Sequence, residues 1–297
     1  MMLDDSENKD IWYRWLLSRR DGENTERRKE TLRQLSPIRD KVLERADLAD
    51  SGTLLDVGCG DGLIGLGALE SSSYNVIFSD ISSDLLEYCR DIVTESGLLN
   101  RCRFELLSAD NLHTIASDSV DVITTRSVLI YVSDKRKAFS EFFRVLKPGG
   151  RVSLFEPINS FGNADRERSW MGYDMLPVID LYQKVRKGMQ REDANVTDEG
   201  RNPMIDFDER DLISLADEIG FRHIFLDYHV VIHPPPPSPV HYLYSTPPNP
   251  NAYSMQEAIA RTLSQEEEKE FIAHLQPLVE SGEGKRRMAY AYLYGSK

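Results

Sequence analysis

Two kinds of hydrophobic spacing divide the chain. In the first fifty residues apolar side chains recur at helical spacing, as Trp12, Trp15 and Leu16 do at i, i+3 and i+4. From Thr53 onward, short β-prone apolar runs alternate with amphipathic segments, which predicts a parallel sheet with helices on both faces. The predicted strands cover residues 53–57, 74–79, 102–107, 119–124 and 150–155.

Local signals mark where several helices begin or end. Ser36-Pro37 predicts a helix start, because Ser favours the N-cap and Pro the first helical position. Between the fourth and fifth strands, residues 133–146 carry an apolar stripe that stops at 148–150, Pro-Gly-Gly. That pattern is typical of a corner between a helix and a strand.

The alternation is interrupted twice after Pro157. An insert with one helix among polar loops is predicted first, and a helix capped by Asp208 and a strand then follow. A second insert opens with a proline-rich run and carries capping boxes at Ser254 and Ser264. The predicted organisation is a helical cap (1–50), a core (51–157), an insert or lid (158–205), a core continuation (206–232), a second insert (233–284) and a last strand (285–297).

A glycine-rich loop follows the first predicted strand. The sequence after Asp56 places glycine at alternate positions before an apolar helix, a layout that lets backbone approach a ligand closely. A dinucleotide fingerprint needs glycine at the sixth position, where Leu63 stands. Asp56 could orient the loop or bind an ammonium group. The backbone predicted to face the ligand belongs to Gly58, Cys59, Gly60 and Gly62.

Acidic residues also end the next two strands. Asp80, followed by Ile81, is placed to accept hydrogen bonds from both hydroxyls of a ribose, or else to cap the helix that follows. Asp110 could accept from an adenine amino group while the N–H of Asn111 reaches a ring nitrogen. The alternative for that pair is a plain Asp-Asn turn.

Residues 53–156 resemble the core of class I S-adenosylmethionine (SAM) methyltransferases of the ubiquinone/menaquinone-biosynthesis type. The matching segments, in order, are 54–62, 80–82, 109–110, 121–124 and 142–150. The resemblance implies a seven-stranded Rossmann-like sheet, SAM as cofactor, and methyl transfer to oxygen, nitrogen or carbon of a small molecule. One departure is Leu112-His113, where relatives often carry Leu-Pro.

Candidate substrate and catalytic residues follow the fourth and fifth strands. Arg126 and Ser127 are candidate cofactor residues, and Arg126 could bind the cofactor carboxylate or an anionic substrate. Tyr131 could accept a proton or pack. Glu156 could project into the cavity as a general base or amine ligand, or cap a loop before Pro157.

Composition narrows the class of partner. Hydrophobic residues make up 40% and charged residues 29%, and the net charge of −13 disfavours nucleic acid. Three cysteines without a CxxC pair or a histidine cluster indicate no metal site and a reducing, cytoplasmic location. No apolar stretch is long enough for a bilayer, and the acidic N-terminus does not resemble a signal peptide, so no membrane partner is expected.

Three alternatives to a small-molecule methyltransferase remain open on the sequence, and so does the oligomeric state. One is a methyltransferase that acts on protein or nucleic acid. Another is a nicotinamide-dependent oxidoreductase, and the third is a non-catalytic module with a SAM-binding fold.

Overall fold

The computed structural model describes residues 8–21, 24–163, 166–191, 202–235, 237 and 244–297. Seven of the strands in this part of the chain form one sheet, and β6 with β7 forms a separate two-stranded ribbon. In chain order the strands are β1 (Thr53–Val57), β2 (Asn75–Asp80), β3 (Cys102–Leu106), β4 (Val120–Arg126), β5 (Leu146–Pro157), β6 (Ser169–Trp170), β7 (Tyr173–Asp174), β8 (Arg222–His233) and β9 (Arg286–Ser296).

The strand order of the large sheet is β3-β2-β1-β4-β5-β9-β8. The first five strands are parallel, and β9 runs antiparallel to both β5 and β8. This arrangement confirms the predicted seven-stranded α/β sheet. The order reverses between β1 and β4, and ligands of open α/β sheets bind beyond the carboxyl ends of the strands at such a point.

Helices cover both faces of the sheet, and the apolar core is divided accordingly. One face packs against α5 and α8, and the other against α2, α3 and α4. The helices in chain order are α1 (Ile11–Leu17), α2 (Thr25–Ala46), α3 (Leu63–Ser71), α4 (Ser83–Glu95), α5 (Lys135–Val145), α6 (Ser160–Asn163), α7 (Ile179–Met189), α8 (Glu209–Ile219), α9 (Met255–Thr262) and α10 (Gln265–Ser281).

The predicted helix start at Ser36-Pro37 is wrong. Helix α2 begins at Thr25, where the Asn24 side chain accepts from the Arg27 N–H, and it continues through Pro37. The Ser36 hydroxyl donates to the Leu32 carbonyl instead of capping a new helix. The cost of the proline in the helix is offset by burial of the apolar face further along, which includes Val42 and Ala46.

The two predicted inserts pack against each other. Tyr182 and Val185 of α7 share one buried cluster with Ile259 of α9 and Phe271 of α10. Both predicted capping boxes, at Ser254 and Ser264, are present. Residues 236, 238 and 239 of the proline-rich run lie outside the described residues. Within the described ranges, none of the helices combines the length and apolarity that a membrane crossing requires.

Gly65 lets α3 lie directly on β2. A Cβ at this position would overlap the ring of Phe78, which is fully buried and stacked on Phe104 and therefore cannot move away. We expect Gly65→Ala to lower the free energy of unfolding by about 1–3 kcal/mol. Urea denaturation monitored by circular dichroism measures this change.

Gly67, one half-turn further along α3, provides the matched control. A Cβ there would meet Cδ of Arg39 at 2.6 Å, the far part of a flexible side chain, so Gly67→Ala should stay within about 1 kcal/mol of wild type. Equal unfolding midpoints for the two variants would contradict the assigned packing.

Candidate active site

A cavity of about 570 Å³ lies beyond the carboxyl ends of β1 to β4. Its floor is built from the strand tips and the loops that follow them, and its other walls come from the N-terminal segment and the inserts. The lining includes Gly58, Gly60, Asp80, Ile81, Asp110, Arg126, Ser127 and Tyr131 from the floor, Trp12, Trp15, Leu16 and Arg20 from the N-terminus, and Met204 and Pro248 from the inserts.

The glycine-rich loop presents bare backbone to this cavity. Gly58 has φ +64°, and a Cβ on it would clash with Val128, so both the conformation and the lack of space require glycine. Gly60 also lines the cavity, and Leu16 of α1 packs directly over it. Cys59 and Gly62, whose backbone was also predicted to face the ligand, are not among the residues that line the cavity. Cys59 is buried, and a Cβ on Gly62 would meet Leu66 and Cys89.

Asp80 ties the glycine-rich loop to the end of β2. Its Oδ2 accepts from the Gly60 N–H at 2.9 Å, and its Oδ1 accepts from the Ser82 N–H at 2.9 Å. The residue is 6% exposed, and burial raises the pKa of its carboxyl group. Each carboxylate oxygen can accept a second hydrogen bond, so Asp80 keeps acceptor capacity towards the cavity that it lines.

Asp110 and Asn111 separate in the structure. Asp110 lines the cavity, and its Oδ1 accepts from the Ser108 hydroxyl at 2.5 Å. Asn111 is exposed outside the cavity, and its N–H donates to the Ser108 carbonyl at 3.0 Å. The prediction that the Asn111 N–H serves a ligand is therefore wrong, because the tight turn already uses this donor.

Asp56 lies beneath the cavity and does not line it. Its Oδ2 accepts from the Gly65 N–H at 2.9 Å and its Oδ1 from the Thr124 hydroxyl at 3.0 Å. Burial raises the pKa of Asp56 to about 7. Of the two predicted roles, the geometry supports orientation of the loop and its helix, and it leaves no place for a bound ammonium group.

The prediction that Glu156 projects into the cavity is wrong. This residue is 0% exposed, and its carboxylate turns under the loop that follows β4. Oε1 accepts from the N–H groups of Val128 and Leu129 at 2.9 and 3.0 Å, and Oε2 accepts from that of Ile130 at 3.3 Å. The 3₁₀ turn at Leu129–Tyr131 leaves these donors without backbone partners, and a buried carboxylate satisfies them. The alternative of a loop cap is the one observed.

Tyr131, Arg126 and Ser127 all lie at the cavity wall. The Tyr131 ring meets Trp12 edge-on with centroids 4.9 Å apart. Burial and the nearby Glu156 raise the pKa of the Tyr131 hydroxyl, so it stays protonated at neutral pH and can donate a hydrogen bond. Ser127 adopts φ +58° with its N–H bound to the Phe155 carbonyl, which fixes the position of the strand end.

Residues 10–21, here called the N-terminal roof, fold over the cavity. Asp10 caps α1 and accepts from the Ser82 hydroxyl at 2.6 Å, two residues beyond Asp80. At the far end of the roof, Arg19 forms two hydrogen bonds with Glu257 of the second insert. The spacing of Trp12 and Trp15 indicated the helix of this roof. No feature of the sequence identified Arg20 as a residue that lines the cavity.

Histidine, cysteine and acidic side chains in the described ranges form no metal-binding cluster. No group of three or more His, Cys, Asp or Glu side chains there is arranged to hold an ion.

Comparison with known proteins finds similarity to methyltransferases, centred on the middle third of the chain. Residues 55–154 match the methyltransferase domain family. The chain is 34% identical over 116 residues to methyltransferase GfsG of Streptomyces halstedii, an alignment that covers 39% of this chain and 41% of GfsG. It is 29% identical over 193 residues to the ubiquinone/menaquinone biosynthesis C-methyltransferase UbiE of a Marinomonas species, with 61% of this chain and 73% of UbiE covered.

The whole fold also resembles solved structures. Geranyl diphosphate C-methyltransferase of Streptomyces coelicolor superposes with a TM-score of 0.52 at 17% identity, covering 93% of this chain and 85% of that one. At this identity the likeness concerns the fold. The sequence relatives and the shared fold together confirm the resemblance that the ordered motifs indicated.

Glu156→Gln tests the structural role assigned to this carboxylate. One oxygen becomes an amide nitrogen facing backbone donors, so we expect the free energy of unfolding to fall by about 1–3 kcal/mol. Glu70→Gln, at an exposed position of α3, should leave stability unchanged. A Glu156→Gln variant as stable as wild type would contradict the role of Glu156 as the cap of this loop.

Proposed function

We propose that this chain, whose residues 55–154 form a methyltransferase domain, is a SAM-dependent methyltransferase that acts on a small molecule. One observation carries the proposal. The tips of three adjacent strands bring bare backbone at Gly58 and Gly60, the carboxylate of Asp80 and that of Asp110 to one cavity. These are the contacts that the amino-acid, ribose and adenine parts of SAM would need.

The donor and acceptor types at these tips fit the cofactor. Asp80 has free lone pairs for the two ribose hydroxyls, and Ile81 beside it is 53% exposed, an apolar surface on which a flat base can lie. Asp110 can accept from the adenine amino group. When bound, SAM supplies a methyl group activated by its sulfonium. The protein therefore needs to hold the cofactor, orient the acceptor and exclude water.

The acceptor side of the cavity supports a small, largely apolar substrate. Trp12, Trp15 and Met204 line it, and Tyr131 offers a hydroxyl donor. The proposed acceptor atom is an oxygen, nitrogen or carbon nucleophile. Arg126 lines the same cavity and is proposed to bind an anionic group of the acceptor or of the cofactor. Glu156 is not proposed as the general base, because its carboxylate is buried beneath the loop and does not line the cavity.

The alternatives fit these observations less well. A roof over the cavity and a net charge of −13 disfavour a polymeric nucleic-acid acceptor. A nicotinamide dinucleotide would require glycine where Leu63 stands at the start of α3. An inactive module would not need the intact set of glycines and acids at the cavity.

Two measurements test the function. Calorimetry should show binding of SAM and S-adenosylhomocysteine but not of nicotinamide dinucleotides. Incubation with methyl-labelled SAM and a metabolite extract should yield a labelled product of low molecular mass. Tight binding of a nicotinamide dinucleotide in place of SAM would overturn the proposal, and label found only in protein or nucleic acid would overturn its substrate class.

Asp80→Asn tests the ribose contact. An amide nitrogen cannot accept a hydroxyl proton, so we expect the affinity for SAM to fall by about 1–3 kcal/mol in calorimetry. Asp91→Asn, an exposed position on α4 with the same change of charge, should bind SAM as wild type does. Equal affinities for the two variants would remove Asp80 from the cofactor site.

A further inference from the structure

Three polar residues line the cavity from the strand ends on the side away from Asp80 and Asp110. Arg126 ends β4, Tyr131 lies in the 3₁₀ turn that follows, and Asn159 comes two residues after the end of β5. In the part of the chain that the structure describes, the Arg126 guanidinium, the Tyr131 hydroxyl and the Asn159 amide have no hydrogen-bond or ion-pair partner. A few convergent polar groups in a largely apolar cavity are typical of a ligand site.

The order of the strands separates these residues from the cofactor contacts. In the sheet, β4 and β5 lie on one side of β1, and β2 and β3 lie on the other. The contacts proposed for ribose and adenine, Asp80 and Asp110, follow β2 and β3. The adenosyl part of SAM therefore occupies that half of the cavity, and the half beyond β4 and β5 is left for the acceptor.

Backbone contacts hold the three residues in place. The Ser127 N–H donates to the Phe155 carbonyl at 2.8 Å, which fixes the end of β4 beside β5. The buried Glu156 carboxylate accepts from three successive N–H groups in and before the turn that carries Tyr131. Since these strand ends are already fixed, a ligand that binds there has less backbone to order, which lowers the entropic cost of binding.

The hydrogen-bond character of these residues selects the group that they can bind. A guanidinium carries a permanent positive charge and only donates, a protonated phenol donates, and an amide offers two further donors. One charge and several donors on the same wall fit the oxygen atoms of a carboxylate or a phosphate. Ile130, Val132 and Met204 line the same cavity and offer apolar surface to the remainder of the molecule.

We propose that the methyl acceptor carries a carboxylate or phosphate group, which Arg126, Tyr131 and Asn159 bind at the ends of β4 and β5. This inference rests on the proposed function and deepens it, because it names the chemical class of the acceptor and assigns Arg126 to the acceptor instead of the cofactor. The bound anion anchors the acceptor and is not itself methylated, because donors that stabilise the charge of an oxygen make it a poorer nucleophile. The product therefore keeps its anionic group.

The composition of the labelled product tests this class of acceptor directly. Wild-type protein is incubated with methyl-labelled SAM and a metabolite extract, and the labelled product is fragmented in a mass spectrometer. We expect the fragments to show a free carboxylate or a free phosphate, and they distinguish the two. A product that contains neither group, including a methyl ester, would overturn the proposal.

Arg126→Gln separates the acceptor contact from the cofactor site. It should lower formation of the labelled product by about 10- to 100-fold, while the affinity for SAM in calorimetry changes by less than about twofold. Arg33→Gln is the control, because Arg33 is an exposed residue of α2 that pairs with Glu30. It should match wild type in both measurements, and circular dichroism verifies that each variant is folded. Unchanged product formation in Arg126→Gln, or an equal loss of SAM affinity, would overturn the assignment.

Probe anions decide the case in which the extract yields no product. Benzoate or phenyl phosphate should raise the melting temperature of the protein loaded with S-adenosylhomocysteine, and the neutral benzamide and phenol should not. The shift should disappear in Arg126→Gln and become smaller in Tyr131→Phe and Asn159→Leu. No response to either anion, in the absence of a labelled product, would overturn the proposal. Failure of the wild type to bind any adenosyl compound would instead overturn the proposed function.

Discussion

The carboxylate of Asp80 holds the ends of two adjacent strands together, and the rest of the site depends on this bridge. It accepts the N–H of Gly60 on one side and that of Ser82 on the other, so the loop after β1 and the start of α4 keep a fixed separation. Burying the charge is unfavourable, and the two backbone donors offset that cost. The Ser82 hydroxyl carries the connection on to Asp10, the cap of the roof helix. Floor and roof are therefore connected through one acid.

The sequence predicted the sheet and most of the cavity floor, for a physical reason. Alternating strands and helices form a parallel sheet, and its topology alone brings successive strand ends to one edge. Gly58, Gly60, Asp80 and Asp110 follow strands directly, so a prediction of the strands places them at that edge. No knowledge of distant contacts is needed for this step.

The predictions failed where orientation depends on a neighbouring segment. Glu156 ends a strand just as Asp80 does, but the turn after β4 offers it three backbone donors and draws it under the loop. Arg20 was missed because its position depends on the N-terminal segment folding back over a loop forty residues later. Two other features were missed for the same reason, the shared core of the two inserts and the continuity of α2 through Pro37. In both, packing between distant segments outweighs local signals.

A crystal structure of the protein with S-adenosylhomocysteine tests the central claim most directly. The account predicts one ligand molecule across the tips of β1, β2 and β3, with its ribose hydroxyls within hydrogen-bond distance of Asp80 and its adenine next to Ile81 and Asp110. A ligand bound elsewhere, or one whose ribose makes no contact with Asp80, would contradict it.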